Sequence, residues 1–321
     1  MRQALLVTIF RVPNFGSVLQ AYATQCVIES MGFDCRILNY DHNKGEWAKA
    51  HGVRPTSLKN KIGRYLGLKA SHRKANKLDE FIDKNFHLTH KYSRFDDICQ
   101  GEGCKSDLFV VGSDQIWNPG LWNPVMFLDI DGFKGCRFSY AASMGRDRLT
   151  AREASFLRKH IKSLDAVSVR EESAGRIISS VTGKSVLTVC DPTCLLNTDE
   201  WSQFAVRPDG VPDDFVFSFF LGENKNAKSA VYSHFKGKLP VVTIPHLQTG
   251  YKAEDEQYND IKLYDVGCRE WVWLILNARY IFTDSFHGTA FSVNLGRNFF
   301  SFPKGSKNDK QSINSRLTDL L

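Results

Sequence analysis

Short apolar runs alternate with helical patterns along most of the chain. The first run, ALLVTIF (residues 4–10), ends in a loop that contains Gly16, and from Ser17 onwards apolar residues recur at helical spacing. A second strand-like run, CRILNY (35–40), follows this helix. A strand, a loop, a helix and a second strand in this order form the building block of a parallel sheet. The sequence therefore predicts an α/β protein.

The same pattern starts a second time in the C-terminal part. Strand-like runs there include FVFSFFLG (215–222) and ARYIFTDS (278–285), with helical segments between them. Residues 195–213 are rich in Pro, Asp and Gly, which is typical of a connection between domains. We therefore predict two Rossmann-like domains, residues 1–197 and 198–321.

Two segments fall outside this simple plan. Residues 44–77 are predicted to be an insertion, and its part 59–77 holds seven lysines and arginines but no acidic residue. Such a segment is either a solvated helix or a surface that meets a phosphate-rich or lipid-linked substrate. The chain ends on SINSRLTDLL, which is typical of the first turns of a helix, so we expect a longer C-terminal domain.

Composition limits the class of protein. Hydrophobic residues make up 42% and charged residues 24% of the 321 residues, as in globular proteins, and the eight cysteines are scattered as in reduced proteins. We find neither a membrane-spanning run nor a signal peptide. The net charge of +7 favours acidic partners, but no nucleic-acid motif accompanies it. We predict a cytoplasmic protein without nucleic-acid partners that can contact the inner face of the membrane peripherally.

Six polar motifs follow predicted strands. In an open parallel sheet the carboxyl ends of the strands lie along one edge, and ligands bind in the loops beyond that edge. We therefore expect the six loops to meet in one cleft between the two domains. The motifs are NFGS, VGSDQIW, SYAAS, VSVREES, CDPT and TDSFHGT.

A histidine in the last of these loops is a candidate proton donor. Asp284 or Ser285 can cap the helix that begins FHGTAF, which leaves His287 in the first helical turn. Helix N-termini attract anions, and imidazole changes its charge near neutral pH. His287 is therefore either a general acid beside an anionic ligand or a structural histidine that bonds to its own loop.

An arginine in the motif VSVREES is a candidate anion-binding residue. Arg170 follows an alternating apolar run and precedes a helix. Its planar guanidinium can bind a carboxylate or a phosphate with two parallel hydrogen bonds. The alternative is a local salt bridge to Glu171 or Glu172.

Other motifs support neither a nucleotide cofactor nor a metal. The segment NFGS is not the dinucleotide fingerprint, and TGKS (182–185) lacks the first glycine of a phosphate-binding loop. CDPTC (190–194) has no second Cys/His pair, and LDID (128–131) is predicted to lie in a turn. We therefore predict no metal and no cofactor.

Taken in chain order, the motifs resemble the polysaccharide pyruvyl transferase family. The resemblance implies two Rossmann-like domains facing a central cleft, the arrangement called GT-B. It also implies transfer of a pyruvyl group from phosphoenolpyruvate to two hydroxyls of a sugar, forming a ketal in a capsule, an exopolysaccharide or a lipid-linked oligosaccharide precursor. The matching segments run from residue 14 to about 302 and are NFGSVLQAYATQ, FVVGSDQIWNP, FSYAAS, AVSVREESA, CDPTCLL and ILNARYIFTDSFHGTAFSVNLGRNF.

The resemblance also implies roles for individual residues. His287 matches the catalytic histidine of the family, and Arg170 matches an arginine that helps to bind phosphoenolpyruvate. Phosphoenolpyruvate would be the donor substrate, so no cofactor is implied. Further predicted substrate-binding residues are Asn14, Gly16, Ser17, Asp114, Ser285, Gly288 and Thr289.

One departure from the family pattern concerns the donor. Family members often carry an arginine two positions before the histidine, whereas this chain has Ser285 there. Arg269, Arg279 or Arg297 could supply the missing charge. Two alternatives to pyruvyl transfer therefore stay open, namely a GT-B glycosyltransferase that uses a nucleotide sugar and a family member that binds a glycan without catalysis.

Overall fold

The computed structural model describes residues 2–40, 70–92, 97–98, 105–245, 257–304 and 315–321. In these residues the chain forms two parallel sheets with helices packed against them. Residues 41–69, which include most of the predicted insertion 44–77, lie outside the described residues. The α/β class that the alternation of apolar runs predicts is confirmed.

The N-terminal half contains six short strands. They are β1 (Arg2–Val7), β2 (Phe33–Ile37), β3 (Leu108–Val111), β4 (Cys136–Ser139), β5 (Ser168–Val169) and β6 (Leu187–Thr188). The first four form a parallel sheet in the order β2-β1-β3-β4, in which Ala4 lies opposite both Cys35 and Leu108. The parallel pair β5-β6 continues this sheet through single bridges next to β4.

The C-terminal half contains a second parallel sheet. Its strands are β7 (Val216–Phe219), β8 (Val241–Thr243), β9 (Ile261–Lys262), β10 (Tyr280–Thr283) and β11 (Phe299–Ser301). Their order is β11-β10-β7-β8-β9, so the central strands β7 and β10 are fully or almost fully buried. The predicted strands of this half are confirmed, whereas β9 and β11 are edge strands that the apolar pattern did not predict.

Helices connect the strands on both faces of the sheets. Those with described bounds are α1 (Phe15–Ser30), α2 (Ala70–Asn85), α3 (Ala151–His160), α4 (Glu172–Thr182), α5 (Thr198–Phe204), α6 (Lys225–Phe235), α7 (Cys268–Asn277), α8 (Phe286–Asn294) and α9 (Ser315–Leu320). Across the described ranges no helix combines the length and the apolarity that crossing a membrane requires.

Aromatic side chains from both halves share one hydrophobic core. Phe15 at the start of α1 stacks on Trp271 of α7, with ring centroids 5.7 Å apart. Trp201 of α5 packs edge-on against Phe291 of α8 at 4.8 Å, and both rings are fully buried. Each fully buried aromatic side chain contributes on the order of 2–3 kcal/mol, and the contact between Phe15 and Trp271 joins the two halves. The boundary at residues 197/198 stays a prediction.

The described part of the basic segment makes contacts with both halves of the molecule. On α2, Arg73 lies 2.8 Å from Asp265, and Lys77 lies 2.9 Å from Glu270. Lys74 is 5% exposed and lies 4.2 Å from the centroid of the Phe15 ring, and its burial lowers its pKa to about 8. Lys74 is therefore not solvated, because it packs against Phe15 inside the protein. Arg73 and Lys77 keep 45% and 37% of their side chains exposed, so for the rest of the segment the solvated helix and the substrate-facing surface both stay predictions.

Candidate functional site

Five of the six predicted loops meet where the two sheets face each other, and these five follow the carboxyl ends of β1, β3, β5, β6 and β10. The sixth, SYAAS, follows β4 and contacts them, since the carbonyl of Ala141 accepts a hydrogen bond from Oγ of Ser113 at 2.7 Å. They bring together most of the predicted site residues and some that were not predicted. The residues joined by direct contacts or short distances are Gly16, Ser17, Asp114, Arg170, Glu171, Asp191, Phe286 and His287.

Two side chains set the first turns of the helices that border this cluster. Asn14 is the N-cap of α1, and its Oδ1 accepts a hydrogen bond from the Gly16 N–H at 3.0 Å. The helix therefore begins at Phe15, two residues before the apolar spacing predicts. Ser285 is the N-cap of α8, and its Oγ accepts from the Gly288 N–H at 3.2 Å. Of the two predicted caps, Ser285 fills this role.

The other candidate cap, Asp284, binds a neighbouring loop. Its carboxylate accepts hydrogen bonds from the N–H groups of Leu221 and Gly222, at 2.6 and 2.8 Å, and from the Asn224 side chain at 2.7 Å. These donors belong to the loop between β7 and α6. An anion-binding position of this loop is thus already occupied by a carboxylate of the chain itself.

The remaining predicted residues of α8 pack inside the protein. Thr289 is fully buried, and its Oγ1 contacts the carbonyl of Ser285 at 3.1 Å and Oγ of Ser301 at 2.9 Å. A Cβ on Gly288 would lie 2.7 Å from Oγ1 of Thr283, so no larger residue fits there without movement. Both residues hold the start of α8 in place.

His287 is buried beside two carboxylates. It is 4% exposed, its Nε2 lies 3.8 Å from Oδ2 of Asp191, and this nitrogen has no hydrogen-bond partner. A Cβ on Gly16 would lie 2.1 Å from the imidazole ring, which explains why α1 carries a glycine here. Burial lowers the pKa of His287 below 6.5, although the negative charges of Asp191 and Asp114 act in the opposite direction. Burial therefore disfavours the charged form of His287 in this site.

Arg170 lies at the centre of the cluster. Its side chain is 1% exposed, and its nitrogens lie 2.6 Å from Asp191, 3.2 Å from Glu171 and 3.4 Å from Asp114. Burial alone would lower the pKa of this guanidinium, but the three carboxylates raise it above its usual value. The guanidinium also stacks over the Phe286 ring at 4.1 Å. The local salt bridge to Glu171 is thus only one of three ion pairs.

Asp114 connects Arg170 to α1. Its carboxylate accepts a hydrogen bond from Oγ of Ser17, and its backbone has a left-handed φ of 46°. Burial would raise the pKa of Asp114, but His287, Arg170 and the Ser17 hydroxyl hold it below its usual range. Non-glycine residues in this backbone region are uncommon and cluster at functional sites.

Three charged residues of the cluster were not predicted as site residues. From the sequence, Asp191 is part of the motif CDPT, and Glu171 is a local partner of Arg170. Each follows the end of a strand, which is the one sequence feature that could have indicated a site residue. Arg316 on α9 is the third, and its guanidinium lies 5.6 Å from the centroid of the Phe286 ring. Its segment, SINSRLTDLL, indicates the start of a helix but carries no motif that points to a site.

The three arginines that the sequence offered as the missing cation bind elsewhere. Arg269 donates to the carbonyl of Phe204 at 2.7 Å, and Arg297 donates to the carbonyl of Ala278 at 3.0 Å. Arg279 forms an exposed ion pair with Asp214. Within the part of the chain that the structure describes, these contacts join the three arginines to Phe204, Ala278 and Asp214 and not to the cluster.

Comparison with solved structures identifies the fold. The putative UDP-N-acetylglucosamine 2-epimerase of Listeria monocytogenes aligns with a TM-score of 0.54 and 10% identity, over 100% of this chain and 87% of that chain. Arabidopsis thaliana UGT89C1, complexed with UDP-L-rhamnose, aligns with a TM-score of 0.53 and 10% identity over 100% and 82% of the two chains. At such identities the likeness shows the fold alone. It is the GT-B arrangement of two Rossmann-like domains, as predicted.

Comparison by sequence identifies the family. A search of the curated proteins found no match. The sequence pattern that describes the family "Polysaccharide pyruvyl transferase", however, matches residues 14–304, which is nearly the whole chain. The matched range includes every residue of the cluster except Arg316. The chain belongs to the polysaccharide pyruvyl transferase family.

Proposed function

We propose that the protein transfers a pyruvyl group from phosphoenolpyruvate to two hydroxyls of a sugar in a surface polysaccharide or its lipid-linked precursor, forming a ketal. The observation that carries this proposal is His287, a buried imidazole whose Nε2 has no partner and lies beside the charged cluster in a chain of this family. A buried polar atom without a partner costs free energy, so a substrate that hydrogen-bonds to it is favoured.

The proposed reaction begins with proton transfer from His287 to the methylene carbon of phosphoenolpyruvate. The double-bond electrons form the new C–H bond, and the central carbon becomes electron-poor. One sugar hydroxyl oxygen bonds to this carbon, the C–O bond to phosphate breaks, and the second hydroxyl oxygen closes the ketal. The products are the ketal and inorganic phosphate, and the two hydroxyl protons return to the imidazole and to the phosphate.

Protonation of His287 is the step that the site must promote. Its pKa is lowered in the unliganded protein, chiefly by burial. A donor with a carboxylate and a phosphate adds negative charge next to Asp191 and thereby raises this pKa, because nearby anions favour the imidazolium. In this proposal, donor binding therefore causes His287 to take up the proton that it then transfers to the methylene carbon.

The other predicted residues receive the following proposed roles. Arg170 holds Asp191 and Asp114 in position and contributes positive charge to the donor phosphate. Asp114, with its Ser17 hydrogen bond, faces the incoming hydroxyls, while Asn14 and Gly16 keep the start of α1 against the imidazole. Ser285, Gly288 and Thr289 position the first turn of α8 and its N–H groups.

The nucleotide-sugar alternative has less support from the site. A nucleoside diphosphate needs several free N–H groups at a strand-to-helix loop. In the β7–α6 loop the N–H groups of Leu221 and Gly222 bind Asp284. This carboxylate would have to move before a diphosphate could bind there.

The test is acceptor-dependent release of phosphate from phosphoenolpyruvate. Galactose-, mannose- and glucose-containing acceptors are assayed with the wild type, His287→Gln and His234→Gln, whose histidine is exposed on α6. We expect His287→Gln to lower kcat about 10²- to 10⁴-fold, the usual effect of losing a general acid, and His234→Gln to leave it unchanged.

Three results would contradict the proposal. Turnover of a nucleotide sugar without use of phosphoenolpyruvate would identify a glycosyltransferase. Glycan binding that His287→Gln does not alter, without turnover of any donor, would identify a non-catalytic glycan-binding protein. Absence of phosphoenolpyruvate binding to the wild type would remove the proposed donor.

A further inference from the structure

The last described helix is anchored by both halves of the molecule. On one side, Asp319 of α9 accepts hydrogen bonds from the N–H and Oγ of Ser173 at 3.1 and 2.7 Å, at the first turn of α4. On the other side, Leu317 is 9% exposed and forms a small hydrophobic cluster with Phe286 and Ala290 of α8. These two contacts fix α9 directly over the helix that carries His287.

This docking places one half-buried guanidinium next to the cluster. Arg316 lies 5.6 Å from the centroid of the Phe286 ring, over which Arg170 also stacks. The Gln115 amide lies 2.8 and 2.9 Å from Nη1 and Nη2 of Arg316, and the orientation that presents its oxygen accepts both N–H groups. The Nε atom of Arg316 is buried and has no hydrogen-bond partner.

The electrostatic surroundings of Arg316 differ from those of Arg170. Arg170 binds a carboxylate with each of its three nitrogens, whereas Arg316 has no carboxylate partner among the recorded ion pairs of the described residues. Burial and the charge of Arg170 lower the pKa of Arg316 to about 10. In turn, Arg316 lowers the pKa of both Asp114 and His287, which shows that its charge acts on the cluster.

The Arg316 guanidinium thus has one N–H without an acceptor, at Nε, and two that bind the neutral Gln115 amide. A bound anion would give Nε an acceptor and would neutralise the charge. The planar guanidinium fork matches the two oxygens of a carboxylate or a phosphate. The Gln115 oxygen occupies the position that an anion oxygen would take, and it is a weaker acceptor because it is neutral. The Phe286 ring links this position to His287, since its centroid lies 5.6 Å from the Arg316 guanidinium and 5.2 Å from the centroid of the imidazole ring.

We propose that Arg316 binds the carboxylate or the phosphate of the enolpyruvate donor and supplies the cation that is absent at position 285. This inference rests on the proposed function, of which it specifies the donor site. On donor binding the Nη hydrogen bonds pass from Gln115 to the anion, and the unpartnered Nε gains an acceptor. Arg316 lies outside the matched residues 14–304, so no property of the matched region assigns it this role.

The test compares donor binding in four proteins. Dissociation constants for phosphoenolpyruvate are measured by calorimetry for the wild type, Arg316→Ala, Arg316→Lys and Arg148→Ala, whose side chain is 81% exposed. We expect Arg316→Ala to raise the dissociation constant about 10- to 100-fold, as loss of a charge-assisted hydrogen bond does. Arg316→Lys should show a smaller loss, and Arg148→Ala should bind like the wild type.

Kinetics separate donor binding from a merely structural role of α9. In the phosphate-release assay, KM for phosphoenolpyruvate should rise in Arg316→Ala, while KM for the acceptor stays within about twofold of the wild type. Inorganic phosphate and pyruvate are then compared as inhibitors, and the anion that loses potency in Arg316→Ala is the group that Arg316 binds. A parallel rise of both KM values would overturn the inference in favour of a structural role.

The inference and the proposed function fail in different ways. If the wild type binds phosphoenolpyruvate and Arg316→Ala binds it equally well, only the role of Arg316 is wrong. If the wild type does not bind phosphoenolpyruvate, the proposed donor is wrong and the role of Arg316 falls with it.

Discussion

At the scale of the residue, the site depends on how burial and charge act on a few titratable groups. The pKa of His287 is lowered because burial opposes its charge more strongly than Asp191 and Asp114 favour it. Arg170 stays charged despite burial because three carboxylates surround it. Removing one member of such a buried set leaves the others uncompensated, which is strongly destabilising. For this reason the role of His287 is tested with His287→Gln, whose amide side chain is polar and of similar size.

The pH dependence of the free energy of unfolding below pH 6.5 should show whether burial lowers the pKa of His287. Its folded pKa is lower than its unfolded value of 6.5, so below pH 6.5 the unfolded chain binds more protons and the folded state loses stability as pH falls. Between pH 6.5 and the lowered pKa, the free energy of unfolding should fall more steeply in the wild type than in His287→Gln. The difference should reach up to about 1.4 kcal/mol per pH unit. Urea unfolding at several pH values measures both slopes, and equal slopes would mean that folding does not lower the pKa of His287.

At the scale of the element, two helix starts decide whether the imidazole is correctly placed. α8 carries His287 in its first turn, and α1 approaches the ring so closely that only a glycine fits at position 16. The caps Asn14 and Ser285 fix these two starts, each by accepting an N–H of the first turn. A helix N-cap contributes about 1 kcal/mol to stability. Here the caps also determine the distance between the two helices.

The substitution Gly16→Ala should test this close approach. Its methyl group would lie 2.1 Å from the imidazole ring, so either the ring or α1 must move. We expect kcat to fall at least about tenfold, because small misplacements of catalytic groups have large effects on rate, and stability to fall by about 1–3 kcal/mol from overpacking.

A second glycine provides the control for this experiment. The added methyl group of Gly120→Ala would meet its nearest atom, Oδ1 of Asn118, at 3.5 Å, which is an ordinary contact. This variant should keep the rate and the melting temperature of the wild type. Wild-type kcat in Gly16→Ala would mean that the imidazole position is not critical for the reaction.

At the scale of the whole molecule, the cluster exists only because elements distant in the chain come together. Asp114, Arg170 and Asp191 belong to the first half, whereas His287 and Arg316 belong to the second. Shared aromatic contacts such as that between Phe15 and Trp271 hold the halves together. The helix α9 adds a contact across the same boundary, since it binds α4 through Asp319 and α8 through Leu317.

The anchoring of α9 should affect donor binding at a distance. Asp319→Ala removes the acceptor of two hydrogen bonds from Ser173, so the helix that positions Arg316 loses its attachment to α4. We expect KM for phosphoenolpyruvate to rise about three- to tenfold, as for the loss of roughly 1 kcal/mol of positioning energy, without a change in acceptor KM. Asp199→Ala, at an exposed position of α5, is the control. Unchanged donor KM in Asp319→Ala would mean that Ser173 does not position Arg316.

The fold and most of the cluster could be predicted from the sequence because they depend on local patterns. Apolar runs define buried strands, glycines and cap residues define the turns that follow, and the carboxyl ends of parallel strands share one edge. His287, Arg170 and Asp114 follow from these rules together with the family resemblance. The edge strands β9 and β11 could not be predicted in this way, because they have only two and three residues, most of them half-exposed.

What only the tertiary structure decided is which charges face each other. Arg170 and Arg316 are 146 positions apart, and no periodicity relates them, yet both stack on the Phe286 ring. Likewise, Lys74 lies in a segment whose composition predicts solvent exposure, but packing against Phe15 buries it. The physical reason is that strands and helices are specified by near neighbours, whereas the partner of a charge is specified by how the finished elements pack.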